Sequence, residues 1–167
     1  MLQLETRLDA LTEGTPIEGI LVLTIAQRER ARFRATLTDG RDAGVMLPRG
    51  GPALRHGEGL ADAEGRVVRI EAAPEPVSTV RDDDPWQLVR AAYHLGNRHM
   101  PLEIGAGWLR YRRDHVLDEM VMGLGLFVTH EDAPFQPESG AYGSGHGHGH
   151  GHGHSHEHGH AGVTAHD

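Results

Sequence analysis

Between Gly145 and His160 the chain reads GHGHGHGHGHSHEHGH, with histidine at every second position. That tract limits what can fold. It carries no apolar side chain to set against the entropy of ordering a glycine-rich backbone. From ESGAYGSG at 138–145 onward no apolar residue recurs with either period, so residues 143–167 are expected to stay disordered without a ligand. The packed structure must therefore come from about the first 142 residues, enough for one domain or two small ones.

Residues 1–75 are expected to form an all-β unit, a small barrel or sandwich. In RFRATLT, Phe33, Ala35 and Leu37 alternate with Arg32, Arg34, Thr36 and Thr38, the period of a half-buried strand. Asp39-Gly40 then signals a hairpin of type I′, whose two central residues need positive φ. GILVLTIA at 19–26 and GRVVRIEA at 65–72 read as further strands, and RGGPALRHGEG between them as turns.

The stretch APEPVSTVRDDDP, 73–85, marks a change of texture and opens a second unit over 76–142. Asp84-Pro85 is a helix start, with an oxygen acceptor at the cap and a residue lacking N–H behind it. Leu88, Val89, Ala92 and Leu95 follow at helical spacing until Gly96-Asn97. PLEI and WLRYR read as strands. Asp114 caps a second helix, with Val116, Leu117, Met120, Val121 and Leu124 on one face, and GLFVTHE closes as a strand. With PVSTVR first, the order is βαββαβ, a ferredoxin-like arrangement. The whole chain is thus expected to be α+β.

Composition excludes several functions. The formal net charge is −8, every one of the sixteen basic residues is arginine, and no basic run stands apart from acids, against a nucleic-acid footprint. Cysteine is absent, so any metal must be held by nitrogen and oxygen. MLQLETRLDALTEG lacks a basic segment followed by an apolar one, and no apolar run approaches the ~18 residues of a membrane span, so a cytoplasmic location is expected. There is no G-x-x-x-x-G-K-S/T loop and no G-x-S-x-G elbow.

What remains is metal chemistry. His146, His148, His150, His152, His154, His156, His158 and His160 supply neutral imidazoles suited to nickel, copper and zinc. Glycine alternation lets several rings converge on one ion, and each ring bound raises the effective concentration of its neighbours. A purification tag would be uninterrupted histidine, whereas this chain runs on to AGVTAHD. Upstream, AAYHLGNRHMP places His94 in a last helical turn and His99 beyond the helix stop. On residue physics alone His94 is a helix-end residue favoured by the dipole, and His99 a surface histidine. His56 and His130 match no ligand motif and read as solvated. RDDD at 81–84 offers oxygen ligands, though a capped helix start explains it at less cost, and Asp114, Asp118 and Glu119 read as favourable first-turn acids.

YHLGNRH at 93–99, LRYRRDHVLDEM at 109–120 and PFQPESGAYG at 134–143, ahead of a histidine-rich end, resemble the urease accessory protein UreE family, with RFRATLTDGRDAGVMLPRG and VVRIEAAPE agreeing in the β half. The resemblance covers essentially the whole chain. It implies a homodimeric, non-catalytic Ni(II) metallochaperone for urease maturation, working with a urease accessory GTPase and the urease apoprotein complex. It also implies a peptide-binding-like β domain, a ferredoxin-like metal-binding domain and a mobile histidine-rich end. The histidine closing GNRH, here His99, is then the nickel ligand at the dimer interface. Arg113 stands where some members of the family have a histidine, so the peripheral metal pair with His115 is not expected.

Ligand shortage gives His99 the same role. The upstream histidines form no compact motif, and a two-fold contact brings one residue from each of two chains to a point. Its ring is expected to project from an extended backbone ahead of Met100-Pro101. Two other readings stay open. Imidazole also suits Zn(II) and Cu(II), so a general nickel or zinc store without a dedicated client has the same signature. A metallohydrolase would need about three fixed ligands and an open position, yet outside the tail no H-x-x-x-H or H-E-x-x-H pair occurs.

Overall fold

The computed structural model describes residues 1–139. The histidine tract, His146 to His160, lies outside the described residues. The first seven strands are β1 (Leu2–Leu4), β2 (Thr6–Leu8), β3 (Ile17–Leu23), β4 (Arg32–Thr36), β5 (Asp42–Met46), β6 (Gly59–Ala61) and β7 (Val67–Ala72), with a one-turn helix α1 (Ile25–Arg28) after β3. They form two open sheets, β1-β5-β4 and β2-β6-β7-β3, so no barrel closes. Side chains from both sheets fill one core: Leu2 and Leu4, Leu21 and Leu23, Val45, Leu60, Val68 and Ile70 are all buried. Each such aliphatic side chain removed from water contributes about 1.5–3 kcal/mol, and their alternation along β7 explains why this unit is a two-layer packing.

Two local readings change. The hairpin joining β4 and β5 keeps its register, Thr36 opposite Asp42, but only Gly40 has positive φ (+89°). Leu37 N donates to Arg41 O and Gly40 N to Leu37 O, a turn followed by a left-handed glycine, which needs one special residue where type I′ needs two. GILVLTIA is not one strand. Thr24 Oγ1 accepts from Gln27 N while Gln27 Oε1 accepts from Thr24 N, and this capping box stops β3 and starts α1.

The second unit runs β8 (Pro74–Arg81), α2 (Pro85–Gly96), β9 (Glu103–Gly105), β10 (Trp108–Arg112), α3 (His115–Gly123) and β11 (Val128–Pro134). Its sheet is ordered β11-β8-β10-β9 with every pairing antiparallel, the strand order that a βαββαβ chain produces. Asp84 Oδ1 accepts from Trp86 N and Asp114 Oδ1 from Val116 N, so both helices begin at their expected caps. Ala91, Leu95, Leu117 and Val121 are buried against Val80, Leu109 and Tyr111. Val89 and Val116, expected on the apolar faces, are about half exposed, at 56% and 48%. Trp86 and Tyr93 are exposed as well, so α2 carries an outer apolar stripe at positions 86, 89 and 93.

The two units meet at α1. Its Ile25 packs with Val77, Ala133 and Phe135 of the second unit, and Glu75 Oε1 accepts from Ile25 N at 2.6 Å. The buried Arg28 guanidinium donates to the carbonyls of Leu23, Leu54 and Phe135, satisfying oxygens from both sides of the joint.

Candidate metal-binding site

His99 stands at the end of α2, where the helix closes by a specific motif. Met100 N reaches back to Leu95 O (3.3 Å) and His99 N to Gly96 O (2.9 Å), the paired bonds of a Schellman closure. In that motif the penultimate residue takes the left-handed conformation, and His99 has φ +56°, the only non-glycine with positive φ among the described residues. The expected extended backbone is therefore wrong. Proline restricts the residue just before it, which is Met100, and leaves His99 to the helix cap. Met100 folds back onto the core containing Leu95, and the His99 ring is left in solvent with no hydrogen bond to any described residue.

Topology also fixes the neighbourhood. β8 runs away from the end of the sheet at which α2 finishes, and β11 returns to that end. Glu138 N then donates to Leu102 O at 2.7 Å, tying the exit of the described chain three residues from His99. His94, exposed in the last turn of α2, stacks edge-on against Tyr93 at 5.3 Å between centroids. His115, the first residue of α3, is exposed at the start of that helix. Among the described residues no three histidine, aspartate or glutamate side chains converge on a point suited to a metal ion. His99 is one exposed imidazole, and any ion held there must draw its other ligands from elsewhere.

The other acids and histidines agree with their sequence reading in part. Asp82 Oδ1 accepts from Asp84 N, so two carboxylates of RDDD serve the helix start. His56 is exposed, but its Nδ1 accepts from Ala72 N at 3.2 Å, which places its ring proton on Nε2. Asp118 is not a surface acid of a first turn: it is 4% exposed. Its Oδ1 accepts from Tyr111 Oη at 2.8 Å, and its Oδ2 lies 2.8 Å from Nε2 of His130. His130 is therefore a half-buried partner of that carboxylate. Burial alone would push the Asp118 pKa up; the nearby Ser78 hydroxyl and the hydrogen bonds from Tyr111 and His130 outweigh it and hold the carboxyl below its usual range. Burial, then the bond to Asp118, pushes the Tyr111 phenol well up. Ser78 Oγ is buried beside this group without a well-aligned bond of its own. No local pattern announces this cluster, since its members come from β8, β10, α3 and β11.

Comparison with known proteins covers both units. The family model described as UreE urease accessory protein, N-terminal domain, matches residues 4–73, and that of the C-terminal domain matches residues 75–160. The chain is 57% identical over 138 residues to a urease accessory protein UreE of Alkalilimnicola ehrlichii, covering 83% of this chain and 84% of the relative. It is 58% identical over 145 residues to that of Pseudomonas putida strain W619 (86% and 88% covered), and 54% identical over 123 residues to that of Proteus mirabilis (74% and 76% covered). With two sheet-rich units in the matching order and identity above one half along most of its length, the chain belongs to the UreE urease accessory protein family, chaperones of urease maturation rather than its catalytic subunits.

Proposed function

We propose that this protein is a homodimeric carrier that binds Ni(II) and delivers it for assembly of the urease metallocentre. One observation carries the reading: His99 is an exposed imidazole without partners among the described residues, set on a hydrogen-bonded helix closure beside the exit of the histidine-bearing segment. A single imidazole binds nickel weakly. A two-fold axis through this end of the second unit supplies two His99 rings, half of a four-coordinate site. The apolar stripe of Trp86, Val89 and Tyr93 on α2 gives such a contact a surface to cover.

Tail histidines supply further ligands. His146 comes eight residues after Glu138, a span of at most about 26–29 Å, ample to reach back from Leu102 to His99. His148 to His160 add capacity. With only nitrogen and oxygen donors the cargo is held reversibly, as transfer to an accessory GTPase and the urease apoprotein requires. A cytoplasmic site of action follows from those partners.

Calorimetric nickel titration tests the reading. His99→Ala should abolish the tightest site, one nickel per dimer, and leave weaker tail sites measurable; an unaltered tight site refutes it. A nickel or zinc store without a client is separated by a second assay: deletion of the gene must then leave nickel-dependent urease activity intact, whereas a delivery role predicts its loss.

A further inference from the structure

The Asp118 cluster has a geometry that helix capping and packing do not require. Tyr111 of β10 and His130 of β11 both stand opposite Ser78 of β8, so the three form one cross-strand row on the face of the sheet that α3 covers. Asp118 projects from α3 onto that row and takes a bond from each end, Tyr111 on Oδ1 and His130 on Oδ2. The carboxylate is 6% exposed while the imidazole is 50% exposed, so the ring reaches from the buried acid into solvent. An ionised carboxylate can only accept, so the bond to Asp118 requires the proton on Nε2. Nδ1 is then left with its lone pair and has no bond to any described residue. This is the outer half of a carboxylate–imidazole–metal arrangement, in which the acid fixes the tautomer and makes the other nitrogen a better donor.

An oxygen ligand lies on the same strand. Asp132 is two residues on, hence on the same face of β11, and is exposed with no hydrogen bond or ion pair to the described residues. β11 is an edge strand, so nothing in the sheet covers that flank. Glu131 between them points to the opposite face, where Arg110 and Arg81 hold it.

We propose that His130 Nδ1 and the Asp132 carboxylate form a second, low-affinity site for a borderline divalent cation of the nickel–copper–zinc group, with Asp118 as the positioning residue behind the imidazole. Two protein ligands leave the remaining positions to water, which makes it a site of fast exchange. The ion class rests on the nickel reading above; the geometry does not, and the test keeps them apart.

Cu(II) is the probe, because it binds tightest in the divalent series and its unpaired electron erases nearby amide signals in NMR. The full chain is titrated past saturation of the tail and of His99. Amides of 129–132 and 117–119 should then vanish in the wild type and persist in His130→Gln, a change of one half-exposed side chain. Asp132→Asn should weaken the effect. Asp118→Asn should lower affinity by about 10–100-fold and convert the His130 ring of the metal-free protein from the Nε2–H form to a mixture, which a merely structural acid would not do. His99→Ala should leave all of this in place, so loss of the His99 site and loss of this one are read separately. Broadening at these amides that survives His130→Gln, or no broadening in the wild type, overturns the proposal.

Discussion

Replacing His99 with glycine should make the metal-free protein more stable while removing the proposed nickel ligand. An L-residue in the left-handed region carries a penalty of about 1–2 kcal/mol, which glycine escapes. Glycine gives back roughly 0.5–1 kcal/mol through the larger entropy of its unfolded chain. The Schellman bonds, Met100 N to Leu95 O and His99 N to Gly96 O, involve backbone alone and survive the change. The His99 ring, exposed and without hydrogen bonds to the described residues, contributes nothing there to offset the gain. The net is about +0.5–1 kcal/mol, or roughly 1–4 °C in melting temperature for a folded body of this size. His99→Val should move the other way by a similar amount, because a β-branched side chain fits this conformation worst. Differential scanning calorimetry in the presence of a chelator, with nickel titration of the same samples, checks both halves. A glycine variant no more stable than the wild type refutes the helix-closure argument. One that is more stable yet binds nickel as before refutes the role given to the side chain.

Ending the chain before Gly143 should leave the metal-free melting temperature within about 1 °C, since no described core residue lies beyond Phe135, while nickel bound per protomer falls by more than one ion. Nickel uptake by equilibrium dialysis should rise steeply between about pH 5 and 8, because imidazoles must shed protons to coordinate; a flat curve points to carboxylate ligands. Asp118 has a folded pKa below its ordinary value, so its contribution to stability is present above about pH 4 and lost as pH falls through the folded pKa; Asp118→Asn should flatten that acid limb in urea titrations. Arg28→Met should destabilise by at least ~2 kcal/mol, because it leaves the carbonyls of Leu54 and Phe135 buried without donors.

Legibility in the sequence followed the range of the interactions. Asp84-Pro85 and Asp114 announced their helices because a cap is satisfied within three residues, and the structure places both side chains on the expected N–H groups. The alternation in VVRIEA was legible for the same reason. Thr24-x-x-Gln27 was equally local, a capping box visible in the residues, but it was absorbed into an apolar run that read as strand. The choice between barrel and sandwich was left open for a different reason: only strand pairing decides that β1 joins β5 while β2 joins β6, which makes two open sheets.

Composition points to chemistry only through histidine density, which suggests metal binding whatever the fold. It says nothing about which solitary histidines are held in place. On residue physics alone His99 and His130 read alike as surface residues, and the structure separates them by partners far apart in sequence or invisible in it. His99 is fixed by a backbone motif whose sequence mark would be a glycine at the left-handed position, and the chain puts histidine there instead. His130 is fixed by Asp118 twelve positions earlier, an acid whose place in the first turn of α3 gave every reason to expect solvent. A left-handed cap and a buried carboxylate each cost folding free energy that an apolar or glycine substitute would avoid. At His130 the buried carboxylate fixes which ring nitrogen faces solvent, and at His99 the cap fixes where the side chain leaves the backbone; both are what the proposed coordination would use.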